Sequence, residues 1–282
     1  MQKEEQWDLI IKPKNNWYQI DVAALWKYRD LLMLLVRRDF VAIYKQTILG
    51  PLWFFIQPII TALTYTFIFG VANISTGGLP RFLFYLSGIT LWSYFADCLT
   101  KTSTTFIANA GVFGKVYFPR LIMPLSIIVS NLIKLGIQFS IFITVWIYYL
   151  SSTDSIHPHW EYIWVIPILV IMMAGLGLGF GILISSLTTK YRDLTFLVGF
   201  GVQLLMYASS VVLPISSMSP KVQFLMLLNP LTSIIESFKY IFLGSGFFDL
   251  IWLGYGFCFM SVLVIIAVIF FNKVEKSFMD TV

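Results

Sequence analysis

Charge is scarce in this 282-residue sequence. Asp, Glu, Lys and Arg together make up 12% of it, against roughly 25% in an ordinary soluble domain. With 58% hydrophobic residues and a mean hydropathy of +0.82, that scarcity excludes a soluble core as the home of so much apolar surface; lipid is needed. Cysteine is nearly absent. Cys98 and Cys258 both lie in apolar runs, which excludes a disulfide framework and a cysteine-based metal site. The only two histidines, His157 and His159, flank Pro158 with just Asp154 and Glu161 near them, so a solvated loop is expected there rather than a metal site. No GxxxxGK[ST] phosphate loop occurs, so this chain is not expected to hold ATP in one. Nor is there a Ser/His/Asp or Cys/His arrangement, or a carboxylate pair on a large loop. Transport is therefore expected, not catalysis.

Long apolar runs are what the sequence does have. Six stretches approach the roughly 20 residues that cross a hydrocarbon core: about 49–71, 82–106, 121–150, 162–185, 194–213 and 250–271. The second is the weakest, diluted by Ser93, Asp97 and a Thr-rich end. The expected fold is an all-α polytopic membrane protein of six transmembrane helices. Fifteen of the 19 Lys and Arg fall in the arm before the first run, the connections after the second and fourth, and the tail. Arg81, Lys221 and Lys239 lie on the other side, and Lys134 lies inside the third run. This bias places both termini in the cytoplasm and reads the net charge of +5 as a topology signal, not as a nucleic-acid surface. The first 45 residues, charged and broken by Pro13, read as an arm and not as a cleavable leader.

Three segments fit neither a span nor a simple loop. In Val22–Phe40, Leu25, Tyr28, Leu32, Leu35 and Val36 recur at helical spacing while Lys27, Asp30, Arg37 and Arg38 face elsewhere, as in an amphipathic helix on the cytoplasmic membrane surface. Asn109–Arg120 (NAGVFGKVYFPR) is too short to span and too apolar for an ordinary loop; it reads as a surface helix or as a docking element for a cytoplasmic partner. Pro214–Asp249 holds two apolar runs, Met218–Leu228 and Pro230–Leu243, of the length expected of re-entrant segments. Asn229 as N-cap with Pro230 at the first helical position starts the second helix, and Gly244 and Gly246 end it. An external re-entrant hairpin between the fifth and sixth spans is expected. The division is then an arm at 1–40, a transmembrane domain at 41–275 and a tail at 276–282.

Polar residues inside the spans carry the remaining signal. Asn131, Lys134 and Gln138 share one face of the third run, read equally well as a pathway lining or subunit contact and as a buried, satisfied network. Asp97 is expected to pair with Lys101 one turn on. Glu236, in the hairpin, is either solvated or part of a gate. Gly175/Gly179 and Gly177/Gly181 form two overlapping GxxxG pairs inside a span, where they allow close helix packing and exclude a dinucleotide fingerprint, which needs a preceding strand.

The stretch from Arg38 to Trp53 (RDFVAIYKQTILGPLW), followed by Gln57 and Pro58, resembles the opening segment of type-2 ABC exporter permeases, in the subgroup that exports lipid-linked O-antigen, capsule and teichoic acid. Lys115–Arg120 (KVYFPR), Tyr191–Asp193 (YRD) and Asn229–Glu236 (NPLTSIIE) resemble three further family segments in the same order. The arm with Trp7, Pro13, Trp17 and Trp26 is most similar to O-antigen exporters. The resemblance implies a permease subunit in a bacterial inner membrane, itself a homodimer around a channel. Two copies of a separate cytoplasmic ATPase would bind the ATP and Mg, with no cofactor on this chain. It further implies an ATPase coupling interface of Arg37, Arg38, Asp39, Lys115, Tyr117, Arg120, Tyr191, Arg192 and Asp193, and an external gate hairpin with Asn229, Pro230 and Glu236. Aromatic residues, 17% of the chain, suit a glycan path and equally a membrane-interface belt. Within the same fold, a capsule, teichoic acid or small amphiphile remains the alternative cargo.

Overall fold

A computed structural model describes residues 22–45, 48–113, 118–188, 191 and 193–279. Among these the regular structure is entirely helical. A short α1 (Val22–Lys27) turns into α2 (Arg29–Lys45), which has Asp30 in its first turn and Lys45 in its last, each complementing the helix dipole. A 3-10 turn at Gly50–Leu52 leads into α3 (Trp53–Val71), and α4 (Arg81–Ser103) follows. Two single-turn helices, α5 (Thr105–Ala108) and α6 (Ala110–Phe113), precede α7 (Ile122–Ser152). After a 3-10 stretch at Trp160–Val165 come α8 (Ile166–Thr188) and α9 (Leu194–Tyr207). Then α10 (Pro220–Leu227), α11 (Pro230–Leu243) and α12 (Leu250–Met279) close the fold.

Five stretches are long and apolar enough to cross a membrane: Gly50–Val71, Arg81–Ser103, Ile122–Ser152, Trp160–Thr188 and Leu250–Lys273. The expected run at 194–213 forms only the 14-residue α9, about 21 Å of helix at 1.5 Å per residue. The chain then continues in turns, with Ser209, Ser210, Val211 and Val212 buried. These turns press on α4 at Gly88, where an added Cβ would lie 3.1 Å from the Val211 carbonyl.

The second run, weakest by composition, is the centre of the protein. Helix α4 is the most buried of the five, with 78% of its apolar window inside. Its neighbours are protein, so it needs less apolar surface than a lipid-facing helix. Two of its buried hydroxyls return to its own backbone, Ser87 to Phe84 O (2.7 Å) and Thr90 to Leu86 O (2.8 Å), which leaves those two satisfied. Helix α3, by contrast, leaves Trp53, Ile60, Leu63 and Phe67 exposed.

The glycine run in α8 works on two faces. A Cβ on Gly177 would come within 2.7 Å of Cys98 Cβ on α4, and one on Gly179 within 2.8 Å of Leu263 Cγ on α12. The overlapping GxxxG pairs thus seat α8 between α4 and α12. A ring cluster of Phe139, Phe142, Phe238 and Phe242 joins α7 to α11, and Trp146 Nε1 closes it by donating to Phe242 O at 2.7 Å.

Candidate functional site: a polar ladder and a buried hairpin helix

Helix α7 presents Asn131, Lys134 and Gln138 to α4, which answers with Lys101, Asp97 and Ser93. Because the helices run antiparallel, residues spaced by one turn on each meet in reverse order. Ser93 Oγ donates to Gln138 Oε1 at 2.6 Å, Lys134 Nζ to Asp97 Oδ2 at 2.6 Å, and Lys101 Nζ to Asn131 Oδ1 at 2.8 Å. Asn131 Nδ2 also reaches Cys98 Sγ at 3.8 Å. Asn131 and Gln138 are buried.

This corrects one expectation. Asp97 pairs with Lys134 across the helix interface, not with Lys101 on its own helix. A cross-helix pair satisfies two polar groups that would otherwise face apolar packing, whereas an Asp97–Lys101 pair would leave Lys134 alone in its span. It also moves Lys101 from a connecting loop into the ladder. The matching signal was present in the sequence: Ser93, Asp97 and Lys101 recur at i, i+4 and i+8 on α4.

The Lys134 rung lies between two hollows. One, of about 520 Å³, is bounded by Arg38, Asp39 and Phe40 of α2, by Phe54 of α3, by Lys101 near the end of α4 and by Ser126, Ser130 and Asn131 of α7. The other, of about 180 Å³, is bounded by Gln57 and Thr61 of α3, Trp92 and Ser93 of α4, Gln138 of α7 and Met206 of α9.

A second polar constellation sits in α11. Asn229 Oδ1 caps the helix by accepting from Leu231 N at 3.1 Å, and its Nδ2 donates to Ala208 O at 3.0 Å, tying the hairpin to the end of α9. Pro230 follows as the first helical residue, and Gly244 closes the helix in the left-handed conformation at φ +74. Every residue of α11 except Tyr240 is buried. Glu236 is therefore not solvated: its Oε2 accepts from Phe247 N at 3.2 Å, and Lys239 Nζ stands 3.6 Å from its Oε1. Lys239 is fully buried, donates to Ser210 O and lies 3.8 Å from the centre of the Phe84 ring. Burial drives the Lys239 ammonium down from its ordinary value to about 8, and Glu236 pulls it partly back. Composition had made Lys239 an ordinary lysine of the external side. Its signal was its place on an apolar 14-residue run among Ile235, Phe238 and Phe242.

His159 also departs from the solvated loop expected of it. Its ring stacks on Tyr240 at 4.0 Å between centroids, its Nδ1 lies 3.1 Å from Tyr240 O, and its backbone N donates to Ile241 O at 2.9 Å. The connection from α7 to α8 thereby clasps the last turn of α11.

The residues expected at a coupling interface are distributed as follows. Arg37 is exposed on α2, and Arg38 is paired with Asp39 at 2.8 Å. Tyr191 and Asp193 are exposed where α8 turns into α9. Arg120 is 4% exposed, buried beside the start of α7. Lys115, Tyr117 and Arg192 lie outside the described residues. In α2, Leu35 packs with Phe106, Phe118, Ile122 and Phe271, joined by Leu25, Tyr28, Leu31 and Leu32, and Val36 is also buried. The apolar stripe of this arm is thus packed on protein, while Trp26, Met33 and Leu34 remain exposed.

Comparison with known proteins places this arrangement. The family profile described as ABC-2 type transporter matches residues 30–243. The chain is 29% identical over 252 residues to an O-antigen export system permease protein RfbA of Klebsiella pneumoniae, covering 89% of this chain and 94% of the relative. A second Klebsiella pneumoniae protein of the same description is 28% identical over the same shares. One from Myxococcus xanthus is 27% identical over 224 residues, 78% of this chain and 83% of the relative.

Proposed function

The chain belongs to the ABC-2 type transporter family, and we propose that it is the channel-forming permease subunit of an ATP-driven exporter of lipid-linked polysaccharide, O-antigen in the first instance. The observation that carries this reading is the similarity to O-antigen export permeases across 89% of the chain, from the arm through the hairpin. In this reading the protein sits in the bacterial inner membrane with both termini in the cytoplasm. It crosses six times, with α9 and the buried turns after it as the fifth crossing. Two copies enclose the channel, and two copies of a separate ATPase bind ATP and Mg beneath them.

The geometry supports a division of labour. The faces of α3, with Trp53, Leu63 and Phe67, and of α9, with Phe196, Leu197 and Phe200, are among the exposed apolar surfaces of the protomer, suited to a second copy and to lipid. Helix α2 is fastened to the bundle through Leu35, with Leu31 and Leu32 beside it, against Ile122 and Met123 of α7, so a push on its exposed side, where Arg37 and Arg38 stand, is delivered to α7. The ladder binds α7 to α4, and the ring cluster binds α7 to α11. Motion at the ATPase end thus has a continuous packed route to the hairpin, a re-entrant element that closes the exit.

Clean deletion of the gene tests the cargo. Loss of surface polysaccharide with lipid-linked glycan accumulating inside the cell is expected, and restoration by the plasmid-borne gene. Unchanged surface glycan in the deletion would refute the export reading. Retained glycan together with lost efflux of a small amphiphile would favour the alternative cargo.

A further inference from the structure

We propose that the hollow between α2, α4 and α7 binds a phosphate group carried by a lipid of the adjoining leaflet. At about 520 Å³ it has the size of a small-ligand site. Its lining holds three cations, Arg38, Lys101 and Lys134, against one carboxylate, Asp39. Arg38 is taken by Asp39, and Lys134 by Asp97, which lies outside the lining. Lys101 has only the neutral Oδ1 of Asn131. An ammonium has three donors; Lys101 is exposed and lines the hollow, and two of its N–H groups are left without a carboxylate among the described residues.

A second observation is independent of charge. Ser130 Oγ lines the same hollow, is buried, and has no hydrogen-bond partner among the described residues. A buried hydroxyl without a partner is costly unless something accepts its proton. A phosphate oxygen supplies that acceptor and the counter-charge for Lys101 in one group.

The rim identifies a lipid as the bearer. Phe40 and Phe54 form an apolar side of the hollow. Next to Phe54 in the chain, Ile48 and Leu52 ahead of α3 and Trp53 and Phe55 at its start are exposed apolar side chains. A headgroup phosphate therefore has polar donors in front of it and an apolar surface behind it for the chain it carries. The inference rests on the membrane-transporter reading, not on which cargo is exported. Two lipids offer this chemistry: a bilayer phospholipid and a polyprenyl phosphate of the kind that carries glycans.

The test uses the purified full-length chain in neutral detergent. Binding of phosphatidylglycerol, of polyprenyl phosphate and of inorganic phosphate alone is measured separately by native mass spectrometry. Lys101→Gln is expected to weaken binding of the preferred lipid about tenfold, the loss of one charge-assisted contact. Ser130→Ala is expected to weaken it about threefold, while Lys101→Arg retains most of it. Tighter binding of phosphatidylglycerol assigns the site to a bilayer phospholipid; tighter binding of polyprenyl phosphate assigns it to a glycan carrier. Equal binding by wild type and Lys101→Gln would overturn the proposal, as would inorganic phosphate binding as tightly as either lipid. If Lys101→Gln fails to fold, unchanged lipid binding by Ser130→Ala overturns it. Lost surface glycan in the deletion strain with no lipid retention here would sink this site and leave the export reading standing.

Discussion

The Asp97–Lys134 rung carries a prediction that separates structural from transport roles. The two groups meet at 2.6 Å with side chains 28% and 13% exposed. Coulomb attraction at that distance in an effective dielectric of 20 is about 6 kcal/mol before desolvation. Removing two charges from water offsets most of it, and the partial exposure of Asp97 screens the rest, leaving a net coupling of about 2 kcal/mol. Lys134→Leu leaves a partly buried carboxylate without its counter-charge and should destabilise the fold by about 3 kcal/mol. Asp97→Asn alone should cost about 2 kcal/mol. Asp97→Asn with Lys134→Leu should cost about 3 kcal/mol, about 2 kcal/mol less than the sum of the two single changes, because neither charge is then left alone. The assay is reversible unfolding of the purified chain in mixed micelles by increasing dodecyl sulfate, read by tryptophan fluorescence, as a double-mutant cycle. Additive effects, with coupling under about 0.5 kcal/mol, would refute the pairing. Transport by the double variant then decides the role: wild-type export makes the rung a structural lock, whereas a stable but inactive double variant makes it part of the path.

Further expectations follow from packing and charge. Gly177→Leu drives a side chain into Cys98 and the Phe95 carbonyl, so it should cost at least about 3 kcal/mol, whereas Gly199→Ala, with open space around it, should leave expression and melting unchanged. Asn229→Ala should lower hairpin stability by about 1 kcal/mol, seen as faster amide exchange in α11 with little change in α8. The folded state holds Lys239 at about 8 against 10.5 when exposed. The unfolded chain therefore binds more protons across that window, and stability should rise as pH goes from about 8 to 10.5. Lys239→Met should remove this rise when its melting curves are compared with wild type. Tyr117→Ala should lower permease-stimulated ATPase activity while protein remains in the membrane, and normal stimulation would count against a coupling role for that segment.

Much of this was legible in the sequence, for reasons that differ by element. The caps of α11 were readable because Asn-Pro and a following glycine act locally, whatever the helix packs against. The α8 glycines were readable because close helix approach admits few other side chains. The centrality of α4 was not, since hydropathy reports what faces lipid, and a helix surrounded by protein is allowed serines, threonines and an ion pair. The pairing of Asp97 was misjudged because intrahelical spacing is visible in one segment, while a partner on α7 requires the antiparallel register. Lys239 and His159 were placed with the solvated side by their charge, yet α11 turns inward and takes both out of plain solvent. The short α9 shows the limit of run-length counting: Ser209 and Ser210 extend an apolar run in the sequence, but the turns there are held by packing on Gly88.

The central claim is that this chain forms the path for lipid-linked polysaccharide and draws its energy from another subunit. Its most direct test is reconstitution of the permease with its ATPase in proteoliposomes loaded with radiolabelled lipid-linked O-antigen glycan. The account predicts that the glycan becomes accessible to an enzyme on the far side only when ATP and Mg are supplied, and that the ATPase alone moves none. ATP hydrolysis in the complete complex with no change in glycan accessibility would contradict it.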